Sequence, residues 1–146
     1  FEMEYVGEDG QKHRPIMVHR VIFGSIERFI GILIEHYAGK FPVWLSPVQV
    51  KILPITERQE AYARKLYAEM KTQGIRAELD LRNEKIGYKI REAQMEKVPY
   101  MLVLGEKEAQ DGLAAVRRRD KGDMGAMPAD EFIALIKKEI AEKAAF

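Results

Sequence analysis

Apolar residues recur along this chain with two periods. Ile26, Phe29, Ile30, Leu33, Ile34 and Tyr37 fall at spacings of three and four, which is one face of a helix. Ser25, just before them, is placed to cap that helix, because its hydroxyl accepts from an early backbone N–H. Gly39 offers a left-handed stop, and Pro42 prevents continuation. Ahead of the helix, residues 2–6 and 15–21 are extended runs on either side of Gly7-Glu8-Asp9-Gly10, a turn signal, and together they predict a hairpin.

Beyond Pro47 strand and helix periods alternate. Val48, Val50 and Ile52 predict a strand that Pro54 ends. Thr56 and Gln59 form a capping box opening a helix that runs to about Gln73, before Gly74. Ile75, Ala77, Leu79 and Leu81 alternate as a second strand, and residues 86–97 form a shorter helix stopped by Val98-Pro99. Met101-Leu102-Val103-Leu104 is a short continuous apolar run, as expected of a central strand. Residues 106–112 read as a polar turn, 113–118 as a strand and 121–126 as a Gly-rich loop. Pro128 starts a last helix that buries Phe132, Ile133, Ile136 and Ile140. The order βαβαββα predicts an α/β fold, a mixed sheet flanked by helices. The apolar, proline-stiffened stretch 41–47 reads as a linker. It divides an appendage, 1–40, from the main domain, 48–146.

Composition narrows the class. The 146 residues contain no cysteine, which excludes disulfides and thiolate metal sites within the chain. A net charge of +1 argues against a whole-surface polyanion field, so any nucleic-acid site is local. The most apolar segment, 26–37, carries Glu27, Arg28, Glu35 and His36 and is no membrane span. The first residues lack the basic start and apolar centre of a signal peptide. The absence of an initiator Met predicts a processed or truncated chain.

Four features carry candidate chemistry. In His19-Arg20-Val21-Ile22-Phe23-Gly24-Ser25-Ile26-Glu27-Arg28-Phe29, a strand enters a helix through a Gly-Ser turn. Arg28, early in that helix, can aim its planar fork at a phosphate or lie flat on a base; from spacing alone an exposed helix arginine is the simpler account. His19 has no Cys or second His at ligand spacing and reads as structural, and His13 and His36 read as structural or solvent-facing, without partners. In Leu81-Arg82-Asn83-Glu84-Lys85-Ile86-Gly87-Tyr88-Lys89-Ile90-Arg91-Glu92, a strand end leads into a helix. There Asn83 offers an amide to a base edge, Lys85, Lys89 and Arg91 offer charge to phosphates, and Tyr88 offers a stacking face; composition alone favours a solvated helix with a capping Asn. Last, Gly105-Glu106-Lys107-Glu108 and Ala115-Val116-Arg117-Arg118-Arg119 supply a carboxylate and arginines suited to base edges, with Arg118 or Arg119 expected on a wet basic edge.

The first run resembles motif 3 of the class II aminoacyl-tRNA synthetases, in the form H-R-x-x-x-G-S-x-E-R-F of the threonyl-tRNA synthetases. The run L-R-N-E-K-I-G-x-K-I-R-E resembles the anticodon-binding domain of the same family, and the resemblance extends over essentially the whole chain. It implies a class II anticodon-binding domain preceded by a β-hairpin and helix left from a catalytic domain. The parent enzyme would join L-threonine to its tRNA through an adenylate made with ATP and Mg. Arg28, as the catalytic residue of this chain, would hold ATP over a floor of Gly24 and Ser25. His19 would be one of three zinc ligands, the others, a Cys and a His, preceding this chain. Asn83, Glu108 and Arg117 would contact anticodon bases of a threonine tRNA, with Lys85 and Arg91 in support. The intact enzyme is expected to be a cytoplasmic homodimer. This chain alone is expected to be inactive, to bind neither ATP nor zinc tightly, and to expose apolar surface that promotes self-association. Two other readings stay open: a non-catalytic adaptor built on an anticodon-binding-type domain, and an unrelated α/β domain for a small molecule, although no Gly-rich phosphate loop follows any strand.

Overall fold

The computed structural model describes residues 2–145 and divides into two compact units, one ending at Ile32 and the other beginning at Leu33. In the first, β1 (Tyr5–Val6) pairs antiparallel with β2 (Lys12–His13). The turn between them is closed by Gly7 N donating to Gln11 O at 2.9 Å, with Gly10 in the left-handed region. The predicted second run, 15–21, is not a strand. Its apolar residues find no ladder among the described residues, and Ile16 is 91% exposed. His13 does have a partner, since its Nε2 lies 2.9 Å from Asp9 Oδ2. Helix α1 (Ile26–Tyr37) follows with no buried residue, and Ile26, Ile30 and Ile34 stand exposed along it.

The second unit holds the five-stranded sheet, in the order β4-β3-β5-β6-β7. Strands β3 (Val50–Pro54), β4 (Ala77–Leu79) and β5 (Tyr100–Leu104) are mutually parallel, whereas β6 (Leu113–Arg118) runs antiparallel to β5 and β7 (Gly122–Pro128) antiparallel to β6. Parallel neighbours need crossovers, and helices α2 (Glu60–Thr72) and α3 (Ile86–Met95) supply them. One face of the sheet packs Val50, Ile52, Leu102 and Val116 against Leu66 and Met70 of α2 and Phe132 and Ile136 of the last helix, α5 (Ala129–Ala141). The other packs Leu53 and Met101 against Ala93, Ile86 and Ile90 of α3. The Thr56 cap forms as predicted, with Thr56 N donating to Gln59 Oε1 at 3.0 Å.

Two predicted connections are regular elements instead. Residues 106–111 form a short helix, α4 (Glu106–Asp111), ended by Gly112 at φ 69°. Six residues are too few to show a helical period. The Gly-rich stretch is β7, because its backbone completes the ladder of β6 even though its glycines offer little side chain to pack. Residues 41–47, read as a linker, are packed within the second unit. Val43 and Ser46 are buried, and Gln49 Nε2 donates to Val43 O at 2.9 Å.

Candidate nucleic-acid interface

From β3 the chain crosses to β4 on one side through α2. From β4 it crosses back to β5 on the other side of β3 through α3, over the opposite face. Loops leaving the ends of β3 and β5 therefore diverge, and a crevice opens beyond the carboxyl ends of the parallel strands, the usual place for a ligand in an open α/β sheet. An open cleft of about 560 Å³ lies there. Ile55, Thr56 and Arg58 line it from the end of β3, Asn83 from the end of β4, and Gly105 and Glu106 from the end of β5. The apolar period of the strands places these loops together, but only the switch in strand order shows that they share one cleft. Arg58 carries no sequence signal of its own.

Asn83 is exposed, and among the described residues its amide makes no hydrogen bond, so one donor group and one acceptor are free to face a base. Glu108 sits one turn into α4, and its Oε2 accepts from Gly105 N at 3.0 Å, which ties its carboxylate to the rim. Lys85 is the residue before α3, in extended conformation, and is exposed; Arg91 is exposed further along that helix. Neither is ion-paired among the described residues. Lys89 corrects the expectation of a phosphate contact. It is 3% exposed, and its Nζ donates to Asp80 O at 3.1 Å and Pro54 O at 3.3 Å, inside the fold rather than toward solvent.

Arg117 lies apart from the cleft. It is paired in β6 with Met101, three residues before the end of β5, so its backbone stands about 10 Å back along the sheet. Its Nη1 approaches Asp123 Oδ2 at 3.3 Å, and its Nε is buried without a hydrogen-bond partner among the described residues. Its two neighbours are not on a wet basic edge. Arg118 pairs with Asp120 at 2.8 Å and Glu139 at 3.1 Å and lies over the Tyr100 ring. Arg119 donates to the carbonyls of Lys97, Lys40 and Phe41. Burial and the nearby Glu139 push the Tyr100 hydroxyl well above its ordinary range, and burial draws Arg119 down. Arg117 falls on the sheet face opposite α5, in step with the partly exposed Ala115 and Leu113, whereas Arg118 reaches Glu139 of α5. Of the predicted readers, Asn83 lines the cleft, Glu108 is tied to its rim, and Arg117 stands apart on the sheet.

In the first unit Gly24 has φ +66°. Ser25 caps α1 as expected, since its Oγ accepts from Arg28 N at 3.3 Å and its carbonyl from Phe29 N at 3.1 Å. Arg28 is exposed, and the rings of Phe23 and Phe29 stack at 4.5 Å. His19 is exposed in an unpaired segment. Among the described residues no group of three His, Cys, Asp or Glu side chains is arranged to hold a metal ion.

Residues 49–139 match the family described as the anticodon binding domain. The chain is 64% identical over 143 residues to the threonine–tRNA ligase of Clostridium novyi and 65% identical over 143 residues to that of Clostridioides difficile. In each case the match covers 98% of this chain and 22% of the relative, so the chain spans under a quarter of their length. Among solved structures it resembles the RNA binding domain of threonyl-tRNA synthetase from Cryptosporidium parvum Iowa II. The TM-score is 0.75 at 36% identity, over 90% of this chain and 33% of that one. A prolyl-tRNA synthetase from Cryptosporidium parvum, complexed with L-proline and AMP, follows at a TM-score of 0.62 and 27% identity, over 69% of this chain and 22% of that one. The chain therefore belongs to the anticodon-binding domain family, in the form carried by threonine–tRNA ligases.

Proposed function

We propose that this chain reads the anticodon loop of a threonine tRNA on behalf of a threonine–tRNA ligase. The observation that carries the reading is the free Asn83 amide in a cleft where three parallel strands end. The 60–65% identity to threonine–tRNA ligases supports threonine as the tRNA's identity. The loop bases would enter splayed, with their pairing edges toward the protein. Asn83 would donate to and accept from one base, the free oxygen of Glu108 would accept from an exocyclic amine, and Arg117 would bridge two acceptors on another base. Lys85 and Arg91, exposed and unpaired, would meet backbone phosphates and set register rather than sequence.

The first unit fits a second part of the same account. Arg28, on the capped first turn of α1, would hold ATP above Gly24 and Ser25, in a catalytic domain completed by residues outside this chain. ATP there supplies the activated adenylate from which threonine passes to the tRNA. His19 would serve a zinc site only with ligands from outside this chain.

Substitution at the cleft tests the reading. Asn83→Ala and Arg117→Ala should each weaken binding of a threonine anticodon stem-loop by about 1–3 kcal/mol and relax discrimination at one base. Lys85→Ala should weaken all loops evenly and lower the salt slope by about 1. Unchanged binding by both Asn83→Ala and Arg117→Ala would show that the proposed base contacts are wrong.

A further inference from the structure

Arg82 stands next to Asn83 and is half exposed, yet its guanidinium is engaged on two sides. Nε donates to Asp80 Oδ1 at 2.9 Å and Nη2 to Oδ2 at 2.7 Å, a bidentate fork. The backbone N of Arg82 donates to the same Oδ1 at 3.1 Å. Nη2 also bonds Glu92 on α3. Asp80 itself is 5% exposed, and the buried Lys89 fixes its carbonyl to the end of β3. One further bond tightens the turn, Glu84 N to Arg82 O at 2.9 Å. The short loop between β4 and α3 is therefore pinned at its entry and across to the helix it feeds. Asn83, in its middle, is left free. A guanidinium that two carboxylates already occupy is poorly placed to take a phosphate.

We infer that Arg82 is a positioning residue for RNA recognition: the Asp80–Arg82–Glu92 bridge holds the β4–α3 loop in the conformation that presents the Asn83 amide to a base. The inference rests on the proposed anticodon reading. Its physical content is preorganisation. Without the bridge the loop must be ordered when RNA binds, and that entropy is subtracted from affinity. The effect should therefore pass through Asn83 and through no other reader.

The experiment is a double-mutant cycle on the full 146-residue chain, with affinity for a threonine anticodon stem-loop as readout. Asn83→Ala and Arg82→Ala should each lower affinity about tenfold. In the Arg82→Ala background, Asn83→Ala should cost less than about twofold more, while Arg117→Ala keeps its full effect. The salt slope should not change with Arg82→Ala. Glu92→Gln removes one of the two carboxylate charges and leaves the Asp80 fork. It should give a smaller loss, again non-additive with Asn83→Ala, and serves if Arg82→Ala does not fold. Additive losses overturn the inference, as does a shallower salt slope, which would make Arg82 a phosphate contact. If Asn83→Ala weakens the cognate loop and neither Arg82→Ala nor Glu92→Gln does, this inference fails and the anticodon reading stands. If Asn83→Ala and Arg117→Ala also have no effect, both fail.

Discussion

The carboxylate of Glu108 is held by the backbone of Gly105, whose N–H donates to Glu108 Oε2 at 3.0 Å. This bond does two things. It satisfies an N–H at the start of α4, and it fixes one oxygen of the carboxylate beside the end of β5. A methyl group on Gly105 would meet that same oxygen at 2.6 Å, and Gly105 itself has an ordinary φ of −95°. Gly105→Ala should therefore displace the carboxylate at the end of its flexible side chain and leave the strand in place. The expected result is weaker stem-loop binding, with a stability loss no larger than that of removing the Glu108 cap outright. Glu108→Ala should lose the binding too, along with about 0.5–2 kcal/mol of stability from the lost cap, read by urea unfolding. Full binding by Gly105→Ala would mean that the position of Glu108 does not matter.

Arg119 joins segments far apart in sequence. Its guanidinium donates to Phe41 O at 2.9 Å, Lys40 O at 3.1 Å and Lys97 O at 2.6 Å. Hydrogen bonds with a charged partner contribute about 1.5–3 kcal/mol. Arg119→Ala should destabilise the domain by about that amount and open the stretch after α1 to protease, with new cleavage around Lys40. Arg119→Lys should recover only part of the loss, because one ammonium lacks the planar fork that spans these carbonyls. Chemical denaturation and limited proteolysis read both effects.

The Arg82 guanidinium holds the Asp80 carboxyl below its ordinary value of 3.8, against the opposing effect of burial. A carboxyl depressed in the folded state contributes stability that is complete above its unfolded value. That contribution is lost as pH falls through the folded one. Between pH 5 and the folded value the unfolded chain takes up the proton first, so stability falls with acid. Asp80→Asn should lower the neutral-pH midpoint and give a flatter acid limb. Thermal unfolding at a series of pH values from 7 to 2 checks this, and an unchanged acid limb would show that Asp80 is not a source of the dependence.

Much of this was legible in the residues. The period of α1, the Ser25 and Thr56 caps and the continuous run of β5 each follow from local pattern, because the signal and the structure have the same length. The rest depends on partners distant in sequence. β7 is a strand because β6 lies beside it, and nothing in Gly122-Asp123-Met124-Gly125 states that locally. Lys89 looks like its neighbours Lys85 and Arg91, yet it turns inward because the carbonyls of Pro54 and Asp80 await it across two strand ends. Arg118 and Arg119 look like a basic edge until Glu139, Lys40 and Phe41 are brought to them. The motifs, then, were visible in sequence, whereas the sorting of their cations into buried clamps and free contacts was not.

The most direct test compares binding of this chain to a threonine anticodon stem-loop and to the same loop with its central and third anticodon bases changed, at one fixed salt concentration. The account predicts that each change lowers affinity by roughly five- to 150-fold, the equivalent of about 1–3 kcal/mol per base. Equal affinity for all the loops would leave only phosphate contacts and contradict it.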